Sequence, residues 1–307
     1  MKTELKITVI TPTFNRAHTL ERVYNSLIEQ NYKIFKWLIM DDGSTDNTSE
    51  YVYKLKEGSP FEIEYVFKPN RKKFLTLMDG IYNYIHTDYF IVMDSDDEFV
   101  KNSIEILFNE IEKIKDDKYI GSVCGNVVDS NGNLVGTEFP LSPMDCSIFE
   151  MRHKYKVKGG KMSIQQTSKF KKVDFNIEYY KNKGYIPDDI WQNYFDSKFK
   201  TRFINEFIKV YHFNPDDKAS LSSSRYKKRS AFGIMESYRT HLEVNQKHFL
   251  KFPLVMSKKM IGYIYFGLNN KNTPIILYNN LSGKINKIFF LLLFIPSSLY
   301  KLINPLK

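Results

Sequence analysis

Short apolar runs alternate with amphipathic stretches over the first hundred residues. Ile7-Thr8-Val9-Ile10 is a strand-length run closed by Pro12, and Leu20, Val23, Tyr24, Leu27 and Ile28 follow at helical spacing. Phe35 to Met40 is apolar apart from Lys36 and stops at Asp41-Asp42-Gly43-Ser44. Tyr51, Val52 and Leu55 mark a second helix, with Ser44, Thr45 or Asp46 placed to cap it. Ile63 to Phe67 reads as a third strand, and Phe74, Leu77, Met78, Ile81 and Ile85 as a third helix. Tyr89 to Met93 is a fourth strand that runs directly into Asp94-Ser95-Asp96-Asp97-Glu98. This alternation predicts an α/β fold with a mostly parallel sheet and helices on both faces. Ligands of such sheets bind beyond the carboxyl ends of the strands. Three polar clusters stand at such ends: residues 11–16, 41–46 and 94–98.

Beyond residue 100 the pattern changes. Ile104, Leu107, Phe108, Ile111 and Ile114 predict one more helix, Ile120 to Val128 a strand, and Asp129-Ser130-Asn131-Gly132-Asn133 a hairpin turn. Residues 137–185 are irregular, aromatic and basic. Trp191, Tyr194 and Phe195 predict a helix after Pro187, residues 201–211 a strand entering Tyr211-His212, and residues from 225 onward basic, aromatic helices.

Charge sharpens this division. The chain of 307 residues has a net charge of +10, but residues 216–307 alone hold 15 lysines and arginines against 4 aspartates and glutamates. A basic block of that kind points to an anionic surface, either membrane or nucleic acid, or to a plain solvated face. Cys124 and Cys146 lack metal-ligand spacing and are too few for a disulfide framework, which fits a reducing compartment. The apolar run after Lys6 is too short for a secretory signal, so a cytoplasmic location is expected.

Several clusters carry chemistry. Asp94 and Asp96, immediately after a strand, can hold a hard divalent cation that shares a substrate diphosphate, or can simply cap the next helix. Asp41 and Asp42 suit a turn and equally suit hydrogen bonds from a nucleoside. Asn70-Arg71-Lys72-Lys73 is a cationic loop at a helix start, favourable to phosphate. Asp188-Asp189 is a second acidic pair, able to cap a helix or to act as a general base toward a hydroxyl. His212 is a candidate metal ligand or a structural histidine.

Taken in order, these elements resemble the family-2 glycosyltransferases of GT-A fold, over roughly residues 5–220. The opening strand and donor loop are matched by Ile7 to Arg16, with Thr11, Pro12, Thr13, Asn15 and Arg16 at donor-binding positions. The nucleoside-binding turn is matched by Trp37 to Asp46, with Asp41 and Asp42. Asn70 to Gly80 resembles a stretch that usually reads Asn-Gly-Gly-Lys; Arg71 and Lys72 replace the glycines and Lys73 keeps the lysine. Phe90 to Asp97 resembles the metal motif in full. By that resemblance Asp96 is the firmer metal ligand, Asp94 faces the sugar or ribose side, and Ser95 lies between them at the donor. Asp188-Asp189 falls where the family has Glu-Asp, which assigns the catalytic base to Asp189 with Asp188 beside it. Tyr211-His212 and Ser220 to Ser223 resemble the closing segment near the site.

The resemblance implies an inverting, metal-dependent (Mn²⁺ or Mg²⁺) hexosyl- or N-acetylhexosaminyltransferase of bacterial surface-polysaccharide type. It would use a nucleotide sugar, by default a UDP-sugar, and a glycan or lipid-linked acceptor, with no nucleic-acid partner. The chain is expected to divide into a nucleotide-sugar half (1–98), an acceptor-binding and catalytic half (99–220) and, from its charge, a basic helical region (221–307). In that last region Ile288 to Ile295 gives only eight apolar residues before Pro296, short of a membrane span of about 20. A segment lying in the interface of the inner face of the plasma membrane is expected instead, or a helix docked on the rest of the chain. The competing activity is a sugar-nucleotide nucleotidyltransferase, though residues 11–16 lack its glycines. A haloacid-dehalogenase-type phosphatase would want its Asp-x-Asp on the first strand. A non-enzymatic protein binding anionic polymers would leave the ordered acids unexplained.

Overall fold

The parallel core of the sheet follows from four buried strands, β1 (Ile7–Thr13), β2 (Phe35–Asp41), β3 (Glu62–Phe67) and β4 (Tyr89–Val92). The structure, a computed structural model, describes residues 5–173, 175–213 and 230–303. The resemblance drawn at Ser220 to Ser223 lies outside the described residues. Helices α1 (Ala17–Ile28), α2 (Thr48–Gly58) and α3 (Lys73–Asn83) connect these strands, which pair in parallel in the order β3-β2-β1-β4. Then come β5 (Glu98–Phe99), α4 (Ser103–Glu112), β6 (Ile120–Asp129), β7 (Met144–Cys146), α5 (Ile148–His153), β8 (Lys161–Gln166) and α6 (Thr167–Phe170). The last elements are α7 (Asp189–Lys198), β9 (Lys200–Tyr211), α8 (Ala231–Asn245), α9 (Pro253–Asn269), α10 (Pro274–Asn279) and α11 (Lys284–Ile303).

The sheet continues past β4 through β8, β6, β9 and β5, with β7 on the side of β9. Strand β8 is antiparallel to both β4 and β6, while β6 and β9 run parallel. The mixed α/β sheet with its parallel centre is the predicted GT-A architecture. One face carries a core of Ile7, Val9, Trp37 and Ile39 against Leu20, Val23 and Leu27 of α1 and Ile104, Leu107 and Ile111 of α4. Helix α3 covers β1 and β2. A side chain at Gly80 would sit 2.5 Å from Ile10 Cδ1 and 3.0 Å from Met40 Cγ, so glycine lets this helix lie close on the sheet with those side chains in place.

Some details depart from the pattern. The cap of α2 is Asn47, not Ser44, Thr45 or Asp46, and its side chain makes no capping bond. Asp46 instead accepts from the Thr48 N–H at 3.1 Å, leaving its own backbone outside the helix. The Asp129–Asn133 segment does turn, with Gly132 at φ 82° and the Asp129 N–H donating to Asn133 O at 2.8 Å, but only an isolated bridge between Val128 and Leu134 follows it. The irregular stretch 137–185 hides β7 and β8. Helix α11 does not stop at Pro296: it runs for 20 residues with the proline inside, and by length and composition it is long enough to cross a membrane. Proline removes one N–H from the helix. The hydroxyls of Ser297 and Ser298 bond back to Leu293 O and Phe294 O, and the helix continues to Ile303.

Two compact units divide the chain. One comprises Met1–Asp174 with Lys198–Ser223, and the other Phe175–Ser197 with Ser224–Lys307. The second is helical. In it α9 packs on α8, and α11 packs on α9. Its interior holds a charged knot: Glu236, fully buried, is bracketed by the Arg239 guanidinium at 2.9 Å, and Arg239 also reaches Glu243 at 2.8 Å.

Candidate active site

The order of the parallel strands reverses at β1, which has β2 on one side and β4 on the other, so a crevice opens at their carboxyl ends. The three predicted polar clusters of the first unit meet there. Backbone bonds tie them together: Asp42 N donates to Thr13 O at 2.8 Å, and Met93 N to Ile10 O at 2.9 Å.

The β1 cluster is buried and largely engaged. Thr11 accepts from the Trp37 indole N–H at 2.9 Å. Pro12 is buried in the strand, and beyond it the Thr13 hydroxyl is buried with no hydrogen-bond partner among the described residues. Asn15 takes φ 54°, its N–H donates to Ser44 Oγ at 2.9 Å, and its Oδ1 accepts from Thr45 N at 2.8 Å. Arg16 is buried and directs its guanidinium to Asp96 Oδ2 at 3.8 Å.

The two acids of the β2 turn are structural in their contacts. Asp41 accepts from Ser44 N at 2.8 Å and from the Tyr65 hydroxyl at 2.5 Å. Asp42 accepts from Arg71 N and Thr76 Oγ1, both at 2.6 Å, while Asn70 Nδ2 donates to its carbonyl at 2.8 Å. Asp42 therefore anchors the loop of residues 70–73 beside β2. Gly43, at φ 84°, lets that loop come close: a Cβ there would lie 2.8 Å from Asn70 N. Within the loop Lys72 adopts φ 73° and ψ 148°, a conformation glycine favours. The position where the family pattern has glycine thus keeps a glycine-type backbone with a lysine in it.

The acidic turn after β4 gathers the charges. Lys73 Nζ donates to Asp94 Oδ1 at 2.7 Å. Lys209 of β9, which the sequence reading did not single out, lies 3.5 Å from Asp94 Oδ2 and 2.5 Å from Asp97 Oδ2. Asp97 is buried and also accepts from the His212 N–H at 3.1 Å. His212 Nε2 stands 3.0 Å from Glu98 Oε1. Ser95 is buried between the two motif acids. Lys73, then burial acting the other way, then Lys209 set the Asp94 carboxyl, and the net effect holds it well below the ordinary range. Burial and the neighbouring Asp94 charge push Asp96 up. Burial opposes the charge of Lys209, but Asp94 and Asp97 outweigh it and keep the amine protonated.

This donor set suits a hard divalent cation. Asp96 has a side chain 30% exposed and a carboxylate that gains from a nearby positive charge. No group of three or more His, Cys, Asp or Glu side chains among the described residues forms a closed cage. A cation would therefore complete its shell with phosphate oxygens and water, as Mg²⁺ and Mn²⁺ do.

Asp188 and Asp189 belong to the second unit. Asp189 opens α7 and accepts from the Ser237 hydroxyl of α8 at 2.7 Å. Lys259 of α9 is half-buried, and burial lowers its pKa while the Asp189 charge acts the other way.

Comparison with known proteins gives this geometry a family. The chain is 24% identical over 315 residues to GalNAc(5)-diNAcBac-PP-undecaprenol beta-1,3-glucosyltransferase of Campylobacter jejuni, covering 98% of this chain and 97% of the relative. It is 32% identical over 120 residues to poly-beta-1,6-N-acetyl-D-glucosamine synthase of Staphylococcus aureus, 39% of this chain and 28% of that one. Among solved structures it resembles S. aureus TarS 1–349 in complex with UDP-GlcNAc, with TM-score 0.55 and 15% identity over 97% of this chain and 92% of that one. It also resembles the mannosyltransferase PcManGT from Pyrobaculum calidifontis in complex with GDP-Man and Mn²⁺, with TM-score 0.52 and 14% identity over 100% and 89%. The model of Glycosyl transferase family 2 matches residues 8–183, more than half of the chain. With the GT-A sheet and the acidic turn at its switch point, the chain belongs to glycosyl transferase family 2 and is a glycosyltransferase.

Proposed function

We propose that this glycosyltransferase is inverting and metal-assisted, and moves a sugar from a nucleotide sugar, by default a UDP-sugar, to a hydroxyl of a glycan or lipid-linked acceptor. The observation that carries this reading is the turn at residues 94–97, where two lysines and an arginine converge on three carboxylates at the carboxyl end of β4. The TarS complex with UDP-GlcNAc and the undecaprenol-linked acceptor in the name of the Campylobacter relative support the donor and acceptor classes.

In this reading residues 1–98 bind the nucleotide sugar, 99–220 complete the acceptor and catalytic half, and 221–307 form the basic region. Thr11 to Thr13, Asn15, Asp41, Asp42 and Asn70 shape the nucleoside end, and the unpartnered Thr13 hydroxyl supports a ligand there. Lys73 and Arg16 face the diphosphate. Asp96 and Asp94 would hold the cation, with His212 joining them by exchanging Glu98. A bound divalent cation would offset the charge gathering on the departing diphosphate. Asp189, oriented by Ser237, takes the proton of the acceptor hydroxyl, with Asp188 beside it. That oxygen bonds to the anomeric carbon as the bond to the diphosphate oxygen breaks, and the nucleoside diphosphate leaves with the electron pair. We place the protein on the cytoplasmic side, peripheral on the inner face of the plasma membrane.

Thermal-shift titration tests the core of this proposal. UDP with Mn²⁺ or Mg²⁺ should raise the melting temperature of the wild type and leave Asp96→Ala unmoved. Absence of a response to any nucleoside diphosphate at any metal concentration rejects it. Pyrophosphate release from a nucleoside triphosphate would favour the nucleotidyltransferase reading instead.

A further inference from the structure

Helix α11 has two unlike faces. Asn286, Phe290 and Ser297 are buried. Asn286 Nδ2 donates to Leu242 O at 3.1 Å, and Lys301 Nζ to Leu268 O at 3.0 Å, so this face is fastened to α8 and α9. Ile285, Ile288, Leu292, Ile295, Leu299 and Leu302 recur at steps of three and four, which puts them on one side of a helix. Every one of them is exposed, from 37% at Ile285 to 77% at Leu302. A continuous apolar stripe about 26 Å long, from Ile285 to Leu302, is thus turned outward.

We propose that this stripe is an interfacial docking surface for an anionic lipid bilayer, a proposal that rests on the peripheral location inferred above and assigns it to particular residues. Charge selects the occupant. From residue 244 to residue 303 the chain has eight lysines and no aspartate or glutamate. Lys284 and Lys287 sit at one end of the stripe and Lys301 near the other. A second copy of the chain would bring like charge against like charge, whereas anionic headgroups attract it. The helix lies on the membrane and does not cross it. Crossing would strip Asn286 and Lys301 from their backbone partners and carry Asn286 and Lys287 into hydrocarbon. An interfacial helix needs an outward apolar face and flanking cations; α11 has both, with its opposite face packed on the protein.

Vesicle flotation of the full chain decides the matter. The wild type should float with phosphatidylcholine vesicles containing phosphatidylglycerol, and much less with phosphatidylcholine alone. Leu292→Glu/Ile295→Glu, at two outward positions, should lower the partition coefficient about tenfold, because two apolar side chains no longer enter the interface. Its melting temperature should stay that of the wild type. Lys284→Gln/Lys287→Gln should weaken only the anionic component. Wild-type protein that ignores anionic vesicles overturns the proposal, as does equal flotation of the Glu variant. A concentration-dependent dimer that the Glu variant dissociates, without vesicle binding, gives the face to a second copy and also overturns it. UDP-dependent thermal shift in the same samples reports separately on the transferase reading.

Discussion

Lys209 and Asp97 form an ion pair of 2.5 Å across 112 residues of sequence, joining β9 to the acidic turn. Asp97 is buried and spends its other oxygen on the His212 N–H, so it is committed to the scaffold. Replacing Lys209 by methionine leaves a buried carboxylate without its cation. We expect a loss of about 3–5 kcal/mol in urea unfolding. The double substitution Lys209→Met/Asp97→Asn should recover most of it, because the unpaired charge is gone. Equal stability of Lys209→Met and wild type would refute the buried-pair account.

Lys72 sits at φ 73° and ψ 148° ahead of α3. Side chains carry strain of about 1–3 kcal/mol in such regions. Glycine relieves it but loosens the unfolded chain by roughly 0.5–1 kcal/mol. Lys72→Gly should therefore raise the melting temperature slightly, and Lys72→Ala should leave it near the wild type. A glycine variant that melts lower than the alanine variant would show that the side chain's contacts matter more than its backbone.

Burial pushes the Cys124 thiol up to about 12, and both cysteines are buried and outside any disulfide. Cys124 is therefore protonated at pH 8, and burial covers both thiols, so Ellman's reagent should find neither cysteine in the native protein and both in denaturant. The linkage has a defined sign. Unfolded cysteine ionises near 8.5. The stabilisation from a protonated Cys124 is therefore full below that pH and is lost as pH rises from there toward 12. Cys124→Ala should flatten that alkaline loss, seen as a smaller drop in melting temperature between pH 8 and pH 10 than the wild type shows.

The Ser237 hydroxyl bonded to Asp189 makes the proposed base testable from a second side. Ser237→Ala removes a hydrogen bond to a charged group, worth about 1.5–3 kcal/mol. Transfer should slow by roughly tenfold or more at unchanged UDP affinity, and Ser237→Thr should restore it. Asp189→Asn should bind donor and lose transfer altogether. Transfer retained by Asp189→Asn would move the base role, with Asp188 the first position to test.

Much of this was legible from periodicity. The runs ending at Pro12, Asp41 and Asp94 are buried on both faces, and a parallel strand with helices above and below must read as a continuous apolar run. The strand at residues 200–211 and the helix after Pro187 were visible for similar reasons. Strand β8 was not, because Lys161-Met162-Ser163-Ile164-Gln165-Gln166 mixes polar and apolar residues: Gln166 Nε2 is buried on Ile114 O, and the lysine reaches Asn126. Lys209 was missed for a related reason. A single lysine in a strand looks like a solvent-facing residue, and only the pairing of β9 with β5 and β6 shows which acids it meets. The acids at 94, 96, 188 and 189 stood out as pairs. Pro296 misled, since a proline inside a helix removes one N–H and need not end it.

The reversed strand β8 also settles a question of parity. Two successive antiparallel pairings, β4 with β8 and β8 with β6, return β6, and with it β9, to the direction of β4. Residues 209–212 therefore leave the sheet on the same edge as Asp94, rather than a strand's length away. Were β8 paired in parallel with β6 instead, β6 and β9 would run against β4, and Lys209 and His212 would leave the sheet at the opposite edge. The sense of the two β8 pairings is thus what brings the end of β9 beside the acidic turn.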